Sequence, residues 1–257
     1  MTGRFWSFIL DVCMYFLNVF FKRILGRDIP GDGVPRRFWK GRSIMLIYII
    51  RHGETDWNTK RLLQGATDIP LNQNGIEVAR LTAKALKDVP FDVIYTSPLS
   101  RAVQTAEIMR RDRDIPIIPD ERLKEISFGP YEGLCCAKEG YSIPDPKFVN
   151  FFSDPAHYTP PEGGETVAEL AVRTTDFLTE LIENPQNREK TILLSGHGAC
   201  VKGLLSSLTI SDLKDFWKGG VHKNCGVSIV EVKDGQAKVL QENVIYYDEK
   251  RSTNYFE

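Results

Sequence analysis

The chain has 257 residues, 33 Lys and Arg against 34 Asp and Glu, a formal net charge of −1 and 42% hydrophobic residues. This fits one globular domain of about 200 residues plus an appendage, and the balanced charge gives no footprint for a nucleic-acid partner. Five cysteines, Cys13, Cys135, Cys136, Cys200 and Cys225, are odd in number and lack C-x-x-C spacing, so they read as reduced thiols of a cytoplasmic protein and not as a disulfide or zinc framework.

Residues 5–21 are almost continuously apolar, broken by Ser7, Asp11 and Asn18, which with Lys22 form one polar stripe at helical spacing. The pattern predicts an amphipathic helix on a membrane or against a partner, too short for a clean bilayer crossing. No small-residue cleavage site follows it. Lys22, Arg23 and Arg27 flank its C-terminal side, so an inserted segment would leave the rest of the chain in the cytoplasm. Residues 26–43 read as a Gly, Pro and basic linker, and Met45 makes a second natural start. Residues 1–44 therefore have three open readings: an anchor, a docking helix, or upstream sequence from a wrongly assigned start codon. Residues 45–257 are the predicted globular domain.

Leu46 to Ile50 is an apolar run ending abruptly in Arg51-His52-Gly53, the pattern of a buried strand delivering polar groups to one end of a sheet. In open α/β sheets that end is where ligands bind. Arg51 carries a forked donor set suited to phosphate oxygens, Gly53 frees the turn, and His52, beside cations that disfavour its protonated form, is a candidate nucleophile. A lone histidine after a strand serves equally as a structural hydrogen bonder, so the neighbours must decide.

Lys60 to Asn74 reads as a loop, with Asn72 as N-cap of a helix carrying Val78, Leu81, Ala85 and Leu86. A strand over Phe91 to Thr96 runs into Ser97-Pro98-Leu99-Ser100-Arg101, with Pro98 expected just inside a helix start. Arg101 in the first turn adds to the positive end of the helix dipole, a clash that makes sense opposite an anion. Ile115 to Ile118 reads as a short strand. Residues 134–161, with Cys135-Cys136, several prolines and Phe148, Phe151, Phe152 and Tyr158, suit a lid or plain core packing equally; His157 there reads as a surface residue. Thr166 and Glu169 have capping-box spacing before a helix reaching about Glu183. Thr191 to Leu194 is a buried strand followed by Ser195-Gly196-His197-Gly198 and a helix over about Ala199 to Leu208, whose N-terminal N–H groups suit an anion. Val227 to Val232, Asp234-Gly235 and Lys238 to Leu240 predict a β-hairpin closing the sheet. His222 and Asn224 precede it.

Taken together, R-H-G-E-T-x-W-N from Arg51, S-P-L-x-R-A-x-Q-T-A around Arg101, the Arg122 to Gly133 segment, Gly163-Gly164-Glu165-Thr166 and S-G-H-G at His197 resemble, in order, the motifs of the histidine phosphatase superfamily, the phosphoglycerate-mutase-like enzymes. The resemblance covers about Met45 to Leu240. It implies a three-layer α/β/α fold with a mostly parallel central sheet and helices on both faces, and a metal- and cofactor-free phosphatase acting on a small phosphorylated substrate. It further implies His52 as nucleophile, Glu125 as proton donor, and Arg51, Arg101 and His197 as catalytic groups around the phosphoryl. Arg51, His52, Gly53, Glu54, Thr55, Asn58, Gln64, Gly65, Arg101 and His197 would bind substrate, with the Gln64 amide and Gly65 N–H as donors. Glu132 matches a position usually regarded as structural, and opening a helix accounts for Glu165. Three alternatives stand beside this reading: a cofactor-dependent mutase, disfavoured by the short interval from Glu125 to His197; a metal-dependent hydrolase, disfavoured by Arg51 beside the presumed ligand; and a catalytically silent phospholigand-binding protein. The sequence does not give the oligomeric state.

Overall fold

A computed structural model describes residues 44–252, which lie within one compact unit, Arg42–Glu257. The readings of residues 5–21 and 26–43 fall outside the described residues. Six strands form one sheet: β1 (Ile44–Arg51), β2 (Val93–Thr96), β3 (Ile117–Pro119), β4 (Thr191–Gly196), β5 (Val227–Lys233) and β6 (Gln236–Val244), in the order β3-β2-β4-β1-β5-β6. The first four in that order run parallel, and β5 and β6 add an antiparallel edge.

The helices that accompany them include α1 (Asp56–Thr59), α2 (Gln73–Ala85), α3 (Ser100–Arg110), α4 (Val167–Glu183) and α5 (Gly198–Thr209). The period of two along β1 decides which helix packs where. Met45, Ile47 and Ile49 face a core shared with Phe177, Leu178 and Leu181 of α4 and Cys200, Val201 and Leu204 of α5. Ile50 turns to the other face, against Val78 and Ala79 of α2 and Ala106 and Met109 of α3. Helices on both faces of a largely parallel sheet make the expected three layers.

The caps match the sequence reading where side chains supply them. Asn72 accepts from the Gly75 N–H at the start of α2, and Thr166 and Glu169 form the capping box of α4. Pro98 does not stand inside α3: Leu99 is the N-cap, so the proline precedes the helix, and the turn is held by Leu99 N–H donating to Ser97 Oγ. Strand β6 is longer than the predicted Lys238 to Leu240, because its pairing with β5 continues to Val244 through register shifts. Within residues 134–161, Phe148, Phe151 and Tyr158 are buried with Leu63, Phe128, Ala199 and Phe216, and Phe152 is exposed. His157 is at the surface beside Asp154. No helix among the described residues is long and apolar enough to cross a membrane.

Candidate active site

The sheet register sets the site. Arg51 pairs with Gly196 across β1 and β4, so the next residues on the two strands, His52 and His197, leave the sheet side by side. His52 N–H donates to the Gly196 carbonyl at 2.9 Å, and the two imidazole rings stand 5.1 Å apart at 61°. β2 ends on the same edge, where Ser97 N–H bonds the Ser195 carbonyl, and α3 brings Arg101 in from there. Arg51, His52, Arg101 and His197 are all buried.

Hydrogen bonding assigns the tautomers. His52 Nδ1 lies 2.6 Å from the Gly53 carbonyl oxygen; a carbonyl only accepts, so Nδ1 carries the proton and Nε2 holds a lone pair. Arg101 Nε donates to His197 Nδ1 at 3.1 Å; a guanidinium only donates, so the His197 proton sits on Nε2, which is buried without a hydrogen-bond partner. One ring is thus a nucleophile in form and the other a donor. Both have pKa values held well below the ordinary histidine range, first by burial and then by Arg101, with Arg51 adding to it in each and the opposite ring also acting on His197. Burial outweighs the cationic neighbours that the sequence pointed to, and both rings are neutral at pH 7.

The cations are fixed by backbone. Arg101 spends its remaining arms on the Gly65 carbonyl at 2.7 Å and the Thr67 carbonyl at 2.8 Å. None of its three partners carries a charge, and burial lowers its own pKa to about 10, so it stays cationic at pH 7. Arg51 Nη1 donates to the His222 carbonyl. Two buried guanidiniums beside two neutral imidazoles form a locally positive cluster that suits a dianion.

Glu125 is held at the start of α5. Its carboxylate accepts from its neighbour Ile126 N–H at 3.0 Å and from Ala199 and Cys200 N–H at 3.1 and 3.0 Å. The acceptor at the start of α5 is therefore a carboxyl group of the protein itself, where the strand-His-Gly-helix pattern suggested an external anion. A methyl group built on Gly198 would lie 3.5 Å from Glu125 Oε2 and 3.7 Å from Arg51 Nε, so this glycine borders both the Glu125 carboxyl group and the Arg51 guanidinium.

Other residues expected at the substrate also build the frame. Thr55 caps α1 and forms a reciprocal capping box with Asn58. Gln64 Nε2 donates to Thr55 Oγ1 at 2.8 Å and Gln64 Oε1 accepts from Asn58 Nδ2 at 3.0 Å, so its amide is engaged within the protein. Glu54 accepts from Asn72 and Asn74, which ties the signature loop to α2. Gly53 and Gly75 stand back to back; a Cβ on Gly53 would come 2.5 Å from the Gly75 oxygen. Gly65 has φ +26°, and a Cβ there would meet the Glu132 carboxylate. Glu132 in turn accepts from Ala66, Thr67 and Phe128 N–H groups, a structural use. Two contributors were only loosely visible in sequence. Asn224 Nδ2 donates to the His52 carbonyl at 3.0 Å and to Asn58 Oδ1, and His222, pinned by Ser228 at 2.7 Å, presents the carbonyl that holds Arg51. Their one sequence signal is polar character just before an apolar strand. Among the described residues no cluster of three or more His, Cys, Asp or Glu is arranged to hold a metal ion.

Comparison with known proteins agrees with this geometry. An uncharacterised phosphatase, PhoE of Bacillus subtilis, is 36% identical over 166 residues, 65% of this chain and 78% of that one. A 2,3-bisphosphoglycerate-dependent phosphoglycerate mutase of Gloeobacter violaceus is 31% identical over 63% of this chain and 75% of its own. The solved phosphoserine phosphatase of Entamoeba histolytica, in complex with 3-phosphoglyceric acid, superposes with a TM-score of 0.67 at 30% identity, covering 77% of this chain and 96% of that one. The profile of the histidine phosphatase superfamily (branch 1) matches residues 47–245, and the chain belongs to that superfamily.

Proposed function

We propose that the protein is a metal-independent phosphomonoesterase that works through a phosphohistidine on His52 and acts on a small phosphorylated metabolite. The observation that carries this reading is the opposed tautomers: the His52 Nε2 lone pair is set by Gly53, and the His197 Nε2 proton is set by Arg101. In the first step His52 Nε2 attacks phosphorus in line while Glu125 gives a proton to the leaving oxygen. Arg51, Arg101 and the His197 N–H stabilise charge on the equatorial oxygens, the electrostatic work that a cation does in other phosphoryl-transfer sites. Glu125, now ionised, takes a proton from the water that cleaves the phosphohistidine. Phosphoserine and phosphoglycerate are the first substrates to try, because relatives act on or bind them.

A panel of phosphomonoesters in excess chelator, with wild type and His52→Ala in parallel, tests the proposal. Release by wild type that disappears in His52→Ala is the expected result, and loss of release on adding chelator would refute metal independence. The mutase relative favours a second reading, in which the phosphohistidine is retained for transfer back to substrate. That reading requires 2,3-bisphosphoglycerate to phosphorylate His52 and 2-phosphoglycerate to interconvert with 3-phosphoglycerate faster than either is hydrolysed.

A further inference from the structure

We infer that Arg173 and Glu165 form a positioning pair for Glu125, holding the backbone that carries the acid against the helix start that holds its carboxylate. This rests on the reading of Glu125 as proton donor. Arg173, on α4, uses every face of its guanidinium: Nε and Nη2 donate to the two oxygens of Glu165 at 2.6 and 2.8 Å, and Nη1 donates to the Arg122 carbonyl at 2.7 Å and the Lys124 carbonyl at 2.8 Å. Lys124 immediately precedes Glu125. On the other side of the acid, Glu165 N–H donates to the Ser127 carbonyl at 2.9 Å. The segment 122–127 is therefore clamped before and after Glu125 by two residues that are bonded to each other.

The clamp is rigid with respect to the rest of the site. Helix α4 lies so close to α5 that a Cβ on Gly203 would come 2.6 Å from Thr174 Oγ1, and Thr174 follows Arg173 in sequence. α5 is the helix whose Ala199 and Cys200 N–H groups hold the Glu125 carboxylate and whose N-cap is His197. One helix pair thus fixes the acid's backbone, its carboxylate and the second histidine together. A bidentate ion pair with two further carbonyl bonds needs the planar fork of arginine; lysine offers one nitrogen for four acceptors. Both side chains are about four-fifths buried, and neither touches the phosphate site directly in any hydrogen bond above. A pair that merely stabilised the fold would do so without regard to the leaving group, which is how the two roles separate.

The experiment compares full-length wild type, Arg173→Met, Arg173→Lys, Glu165→Gln and Glu125→Gln on p-nitrophenyl phosphate, whose leaving group needs little protonation, and on glycerol phosphate, whose alkoxide must be protonated. If the pair positions the acid, Arg173→Met lowers kcat on glycerol phosphate by about 100-fold, the lower end of what a general acid contributes, with a far smaller loss on p-nitrophenyl phosphate and unchanged KM for both. Arg173→Lys and Glu165→Gln show the same imbalance in milder form, which keeps the test available if Arg173→Met folds poorly. Equal losses on the two esters would overturn the inference. The backbone amide resonances of Ala199 and Cys200 give a second reading that needs no turnover: they move toward their Glu125→Gln positions in the Arg173 variants if the carboxylate is displaced, and unmoved resonances count against the pair. Wild type that hydrolyses neither these two esters nor any monoester of the panel would remove the phosphatase reading, and the amide resonances would still decide whether Arg173 positions Glu125.

Discussion

Arg101 does two jobs through one guanidinium, since its charge faces the site while its Nε–H determines where the His197 proton resides. Replacing it with lysine keeps a cation but removes the fork that reaches His197, Gly65 and Thr67 together. Arg101→Lys is expected to lower kcat/KM by about 100-fold or more, the scale of losing a preorganised donor, and to release the His197 tautomer preference, read from imidazole nitrogen chemical shifts. Gly198→Ala is the smallest change that should be felt. Its methyl would lie beside Glu125 Oε2 and Arg51 Nε and stand 3.1 Å from Val221 Cγ1. Folding is expected to survive it while kcat falls at least about tenfold, the cost of a small misplacement of reacting groups. Steady-state kinetics against thermal melts separate those two effects.

At the scale of elements, the contact between the signature loop and α2 is made backbone to backbone at Gly53 and Gly75. A Cβ on Gly75 would come 2.1 Å from the Glu54 oxygen, so Gly75→Ala must push the helix start off the loop that carries His52. We expect a destabilisation of about 2 kcal/mol or more from overpacking, measured by denaturant unfolding, and lower activity with it. Thr166→Ala removes one half of the α4 capping box and should cost about 1 kcal/mol without changing the pH profile. These contrasts show what was legible in the sequence. Strands β1 and β4 announce themselves by apolar runs that stop at Arg51-His52 and Gly196-His197, and the caps at Asn72 and Thr166 lie within three residues of the groups they bond. The destination of the Glu125 carboxylate was not legible, because its partners Ala199 and Cys200 stand 74 and 75 residues away and are backbone groups with no sequence signature. The bonds of Gln64 to Thr55 and Asn58 were not legible either, because nothing in the sequence pairs an amide with those two residues until the fold brings them together.

For the whole molecule, three buried histidines are held neutral in the folded state. His52 and His197 lie well below the ordinary range, and burial, assisted by Lys202 and Arg51, lowers His222 to about 3. In the unfolded chain each titrates near 6.5. Between the folded and unfolded values the unfolded state binds more protons, so stability falls as pH drops below about 6.5 and is regained as it rises above. At pH 5, His222 alone accounts for a loss of about 2 kcal/mol. Thermal melts should therefore drop steeply from pH 7 to pH 5, and less steeply in His222→Gln; a melting temperature flat across that interval would contradict the assignment of neutral buried rings. In the proposed mechanism the same electrostatic arrangement leaves His52 able to accept a phosphoryl group near neutrality, and the most direct test looks for that bond. Rapid quench of the full-length protein with a labelled monoester, in excess chelator, should trap an acid-labile phosphate on the peptide containing His52, with the label lost at the rate of turnover and absent from His52→Ala. Turnover with no phosphate on His52, or a label that persists in His52→Ala, would contradict the account.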